Sequence, residues 1–159
     1  MTFADIIENL EFARAKTLAT LESVAKEADP MHALGWRAVP GRAHAAWQFM
    51  HIAATDDRHV HVRMTGGNPQ EPDLVRRFAG GSTPDDTIPT IDQIKAYLAN
   101  QRAELIKHLR SLDASMLDKK PNEQAPWTYR EWGKLLPWHE AHHQGQAHAT
   151  LNLYRIRPA

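Results

Sequence analysis

Apolar residues recur at three- and four-residue steps in four long segments of the chain, and the glycines and prolines collect between them. One apolar stripe per segment at a period near 3.6 predicts amphipathic helices that share a core. The first runs from about Thr2 to Lys26, with Phe3, Ile6, Ile7, Leu10, Ala13, Thr17, Leu21 and Val24 on its stripe. Asp5, three residues after Thr2, comes close to a capping box and suits the positive helix end. Asp29-Pro30 ends this helix, and residues 30–41 are expected to form a loop. The second helix covers about Arg42 to Met64, with Trp47, Met50, His51, Ala54, Arg58 and Val62 on one face, and Gly66-Gly67-Asn68-Pro69 stops it.

The stretch from Gly66 to Pro89 reads as a long crossover or lid with a short helix around Pro72 to Phe78. Connections of that length are uncommon and often functional. Thr90-Ile91-Asp92-Gln93 is a capping box that opens a third helix, whose stripe is Ile91, Ile94, Leu98, Leu105, Leu109 and Leu112. A second connection, Ser111 to Gln124, carries a helical turn at Ala114 to Leu117. Thr128-Tyr129-Arg130-Glu131 is another capping box, and the fourth helix runs from there to about Tyr154. Pro137 falls inside it, so the helix either bends there or a new one starts. Alternating β-branched runs are absent. An all-α fold follows, and an antiparallel four-helix bundle is the simplest way to bury four stripes.

The length of 159 residues fits one domain, 1–159, with a core that needs no staples. The absence of cysteine excludes disulfides, thiolate metal sites and a cysteine nucleophile. Balanced charge, 19 basic against 19 acidic residues, with no long run of either sign, argues against a nucleic-acid partner. No apolar stretch reaches the ~20 residues of a membrane span. The acidic, amphipathic start is unlike a secretory signal, so a cytoplasmic location is the default expectation.

Ten histidines and five tryptophans are many for such a chain and direct attention to a lined cavity. The densest cluster is Trp138-His139-Glu140-Ala141-His142-His143-Gln144-Gly145-Gln146-Ala147-His148. On a helix, His143 lies ~40° from His139 and His142 ~60° to its other side. The i, i+4 pair can therefore reach one ion, while His148 points away into solvent. Gly145 suggests that a neighbour needs the space. A third ligand should come from a facing helix, and the second helix offers His44, His51, His59 and His61. His51 sits in mid-helix where a core-facing ligand belongs, His44 lies nearer the helix start, and His59 and His61 fall off that face. The competing reading is a set of core histidines held by hydrogen bonds without any metal. Trp47, Trp127, Trp132 and Trp138 are expected as core or pocket wall, and Asp56-Asp57-Arg58 as a solvated patch.

Trp47-Gln48-Phe49-Met50-His51-Ile52-Ala53, followed by an acidic pair and then by the H-E-A-x-H-x-G-Q string at 139–146, resembles the DinB-like superfamily with its YfiT-type metal-dependent members. The resemblance covers nearly the whole chain. It implies a right-handed bundle with its helices in up-up-down-down order, a metal site on His51, His139 and His143 holding zinc or nickel, and a homodimer. It also implies chemistry between a low-molecular-weight thiol and a small-molecule electrophile, or hydrolysis. The alternative is a non-catalytic, stress-related metal- or ligand-binding bundle. Gln144 stands where arginine is common, and Pro137 falls in a usually plain helix, which leaves the ligands in place and alters the pocket mouth. His142, Gln146 and Asp56 are the candidates for orienting or proton-handling roles around the ion.

Overall fold

A computed structural model describes residues 1–158 of the chain, and the elements within them are all helical. Four helices are long: α1 (Phe3–Ala25), α3 (Ala45–Asp57, continued by a π-helical segment Arg58–Met64), α5 (Ile91–Arg110) and α6 (Tyr129–Arg155). Two are short, α2 (Pro30–Gly35) and α4 (Pro72–Phe78), and Ala114–Met116 forms a 3-10 turn. All three capping boxes form, at Thr2 and Asp5, Thr90 and Gln93, and Thr128 and Glu131. Asp29-Pro30 does more than end α1. Asp29 accepts the backbone N–H of His32 and Pro30 occupies the first turn, so the expected loop opens with a short helix. The second long helix starts at Ala45 rather than Arg42, because the ring of His44 caps it by accepting the N–H of Trp47 at 3.0 Å.

The principal helix contacts form a ring in which α1 packs on α5 and α6, and α3 packs on the same two. The core within that ring falls into two apolar clusters. Along α1 the chain passes from Ile6 and Leu10 of one cluster to Leu21 and Val24 of the other, and α6 runs the same way from Trp132 and Leu136 to Leu151 and Tyr154. Helices α3 and α5 run oppositely, from Ala46 to Val60 and from Leu98 to Leu105. Two ion pairs agree: Arg155 meets Glu27 where α6 and α1 end, and Lys95 near the start of α5 meets Glu22 near the end of α1. The order is thus up-down-down-up, which corrects the expected up-up-down-down. Parallel neighbours α3 and α5 need a connection that travels the length of the bundle, and residues 66–89 with α4 supply it. Helical stripes carry no information on direction, so this could not be read from periodicity.

Between the apolar clusters lies a buried ionic layer with one residue from each long helix: Arg14, Asp56, Arg102 and Glu140, each side chain no more than 8% exposed. Asp56 Oδ2 accepts from Arg14 and from Arg102 Nε, both at 3.0 Å, and Glu140 accepts from Arg14 Nε at 2.7 Å and from Arg102. The remaining donors reach backbone carbonyls of Leu98 and Leu10. Two positive and two negative charges cancel and every group is partnered, the condition under which a buried ionic network is tolerated. Asp57, also buried, accepts the backbone N–H groups of Gln70 and Glu71 and the hydroxyl of Tyr97, pinning the start of the crossover. The acidic pair is therefore interior, which overturns its reading as a solvated patch. Only Arg58 of that triplet faces solvent.

Helix α6 continues through Pro137 as one element, because both halves of its stripe are buried against the same ring of helices. Its closest approach is at Gly133, where a Cβ would stand 2.4 Å from Ile6, so a side chain there would drive α1 and α6 apart. Gly145 has no such role, since open space surrounds it. Trp47 and Trp132 are buried, but Trp138 is 61% exposed and stacks on His142 instead of entering the core. No helix among the described residues is long and apolar enough to cross a membrane.

Candidate metal centre

His51, His139 and His143 come together near the middle of the α3–α6 contact, with one ring nitrogen from each within 4.8 Å of the others. Their ring centroids are 4.3–4.9 Å apart. His51 Nε2 and His139 Nε2 face each other at 3.0 Å. Two nitrogens bound at ~2.0–2.1 Å to one ion stand roughly 3.0–3.4 Å apart, so this pair already has the spacing of a shared metal.

Neighbours set the state of the rings. The Nδ1 of His51 lies 2.7 Å from the carbonyl of Phe78, which can only accept, so that nitrogen carries the proton and Nε2 keeps its lone pair. On α6 the same result comes through a chain of amides. His143 Nδ1 donates to Gln48 Oε1 at 2.6 Å, Gln48 Nε2 donates to Gln146 Oε1 at 2.8 Å, and Gln146 Nε2 donates to His142 Nε2 at 2.6 Å. All donors in this chain point outward, which leaves Nε2 of His143 unprotonated and facing the group. Trp47 stacks on His51 at 4.7 Å and fixes its plane. Burial, then mutual repulsion of neighbouring imidazoles, holds the pKa of His139 down at about 4 and that of His143 at about 3, and burial lowers His51 as well. All three are neutral at pH 7, the form that ligates. Hydrogen bonds to carbonyl and amide acceptors on the far ring nitrogen are the usual support of a metal-bound histidine, and the donor set suits a divalent transition ion.

The sequence model of the DinB superfamily matches residues 2–147. The chain belongs to the DinB superfamily. Its members are generally metal-binding, in keeping with the three-histidine group. Comparison with curated proteins and with solved structures finds no match.

Within this DinB protein the other expected residues separate. His142 and Gln146 sit beside the group, hydrogen-bonded to each other, with His142 exposed. Asp56 lies in the ionic layer, with Oδ2 engaged by two guanidinium groups and no hydrogen bond to any of the three imidazoles. His148 is exposed as expected. Gln48, the link to His143, was not anticipated, although its position one helical turn before His51 mirrors Gln146 one turn after His143.

His59 was also missed. Its ring is half-buried, accepts the indole N–H of Trp132 at 3.0 Å, and has its pKa held at about 4 by burial and then by the charges of Arg63 and Arg58. It lines a cavity of about 340 Å³ that opens onto His51 and His139. A second cavity of about 570 Å³ is lined by Trp47, Gln48 and Gln146 and by none of the three histidines.

Proposed function

We propose that His51, His139 and His143 hold a divalent metal ion, zinc or nickel, and that the protein is a metal-dependent enzyme. Its reaction is transfer of a low-molecular-weight thiol to a small electrophile, with hydrolysis as the alternative. One observation supports the metal above all: the Phe78 carbonyl and the Gln48 amide oxygen occupy the outer nitrogens of two rings, so lone pairs converge where a cation belongs. Without a metal, His139 Nε2 can donate to His51 Nε2 at 3.0 Å, but the inner nitrogen of His143 is then left without a partner.

A three-imidazole site supplies Lewis acidity at its open positions, enough to make a thiol or water a competent nucleophile near neutral pH. The chain does the rest. Trp47 and the Phe78 carbonyl hold His51 in one orientation, and Gln48 does so for His143. His142, exposed beside the group, takes up the nucleophile's proton on Nε2 once the Gln146 amide swings away from that nitrogen. The residues act as one DinB-like domain and as a homodimer, in the cytoplasm where thiols stay reduced.

Elemental analysis of tag-free protein tests the metal: one ion per chain is expected, with none retained by His143→Ala. Turnover of a chromogenic aryl halide with bacillithiol, mycothiol or glutathione, abolished by chelator, tests the chemistry. One ion per chain with no turnover across thiol and ester panels would leave a metal-binding bundle without catalysis.

A further inference from the structure

The cavity of about 340 Å³ beside His51 and His139 has an electrostatic character that the metal site does not require. Arg58, His59 and Arg63 line it, and no carboxylate does. Neither guanidinium takes part in an ion pair or donates a hydrogen bond among the described residues, a state they share with Arg42 and Arg110, whereas Arg14, Arg37, Arg76, Arg77, Arg102, Arg130 and Arg155 all meet a carboxylate; Arg58 and Arg63 are the two that line one cavity. Two cations without a carboxylate beside one concave surface, Arg58 exposed and Arg63 half-buried, offer an anion paired donors there.

The backbone is arranged to produce this pairing. Residues 58 and 63 lie ~140° apart on an α-helix, on different faces. The π-helical segment Arg58–Met64 winds more slowly, with i→i+5 bonding, and brings positions five apart to within roughly 50° of each other. Thr65 N–H to Val60 carbonyl at 3.2 Å is one such bond. Within it Val60 and Met64 are buried, and the expected Arg58 and Val62 are not. A π segment gives up regular hydrogen bonding and is frequently found at functional sites. Opposite the arginines, Trp127 and His59 present rings at 6.2 Å, and Ala54, Val75 and Leu135 supply apolar wall.

We propose that this cavity binds a small organic anion, its charged group on Arg58 and Arg63, its planar or apolar body along Trp127 and Leu135, and its far end toward His51 and His139. This deepens the functional reading above by naming the charge class of the electrophile, and rests on that reading only for what the far end meets. Benzoate, phenyl phosphate and the neutral benzamide serve as probes, titrated calorimetrically into metal-loaded and into chelator-treated protein. One or both anions should bind at least about tenfold more tightly than benzamide, the tighter of the two identifying the head group. The double variant R58Q/R63Q should lose that preference while keeping its helical content and its bound metal. Anion selectivity that survives chelation but not R58Q/R63Q supports the cavity even if the metal reading fails. Anion binding that vanishes on chelation and persists in R58Q/R63Q goes to the ion alone and overturns the proposal, as do equal affinities for benzoate and benzamide or no binding of any anion.

Discussion

The bundle buries two polar clusters that obey opposite rules. In the ionic layer, Arg14, Asp56, Arg102 and Glu140 cancel in charge, and each guanidinium finds carboxylate and carbonyl partners. In the three-histidine group the partners of His51 and His143 lie behind the rings, and the inner nitrogens turn toward one another. A cluster that satisfies itself needs nothing from outside, so its consequence is structural. A cluster whose outer bonds are arranged so that its inner atoms stay unspent is built for a ligand. The two lie close in sequence on α6, where Glu140 follows His139, so the difference comes from what each side chain faces.

The comparison can be broken most forcefully at the ionic layer. Arg102→Met leaves Asp56 and Glu140 short of a buried partner and should cost about 3–5 kcal/mol in urea unfolding. A loss below about 1 kcal/mol would mean that the layer is not the closed network described. The complementary change, His143→Ala, should reduce metal affinity by at least about 100-fold and leave the unfolding midpoint of metal-free protein nearly unchanged. A large loss of metal-free stability with unaltered metal content would make the histidines structural instead. Gln48→Leu sharpens the contrast further, since Gln48 is no ligand and the change frees His143 Nδ1 and Gln146 Oε1. Equilibrium competition with a chelator should show metal affinity down about 10–100-fold.

The smallest effect is on acid stability. Burial holds His139 and His143 well below their ordinary value of 6.5, so the unfolded chain binds protons that the folded chain refuses. Their contribution is intact above about pH 6.5 and is lost as pH falls toward 4. Metal-free protein should therefore lose on the order of 1 kcal/mol per ring across that window. Denaturant midpoints of wild type and a His139→Ala/His143→Ala variant, compared at pH 7 and pH 5, check it. Equal pH slopes would show that these rings are not neutral in the folded protein.

Much of the architecture was legible because it is local. Capping boxes at Thr2, Thr90 and Thr128, the short helix Pro72–Phe78 and the turn near Ala114 each depend on residues within a few positions of one another. The meeting of the three histidines was legible for a similar reason. His139 and His143 are bound to share a helix face, and His51 is central on another apolar helix. By contrast, Arg58 and Val62 continue the stripe of Ala54 at helical steps and yet are not buried, and Asp56 and Asp57 are interior although a charged triplet is ordinarily solvated.

The chain alone therefore determined which segments are helical, where most of them begin, and that three imidazoles could meet, since periodicity and capping are short-range properties. Tertiary structure decided the direction of each helix, the burial of Asp56 against arginines from two other helices, and the alignment of Gln48 behind His143. Those depend on groups far apart along the chain, whose desolvation is tolerable only once charges and hydrogen bonds from several helices converge, and no local pattern records that convergence.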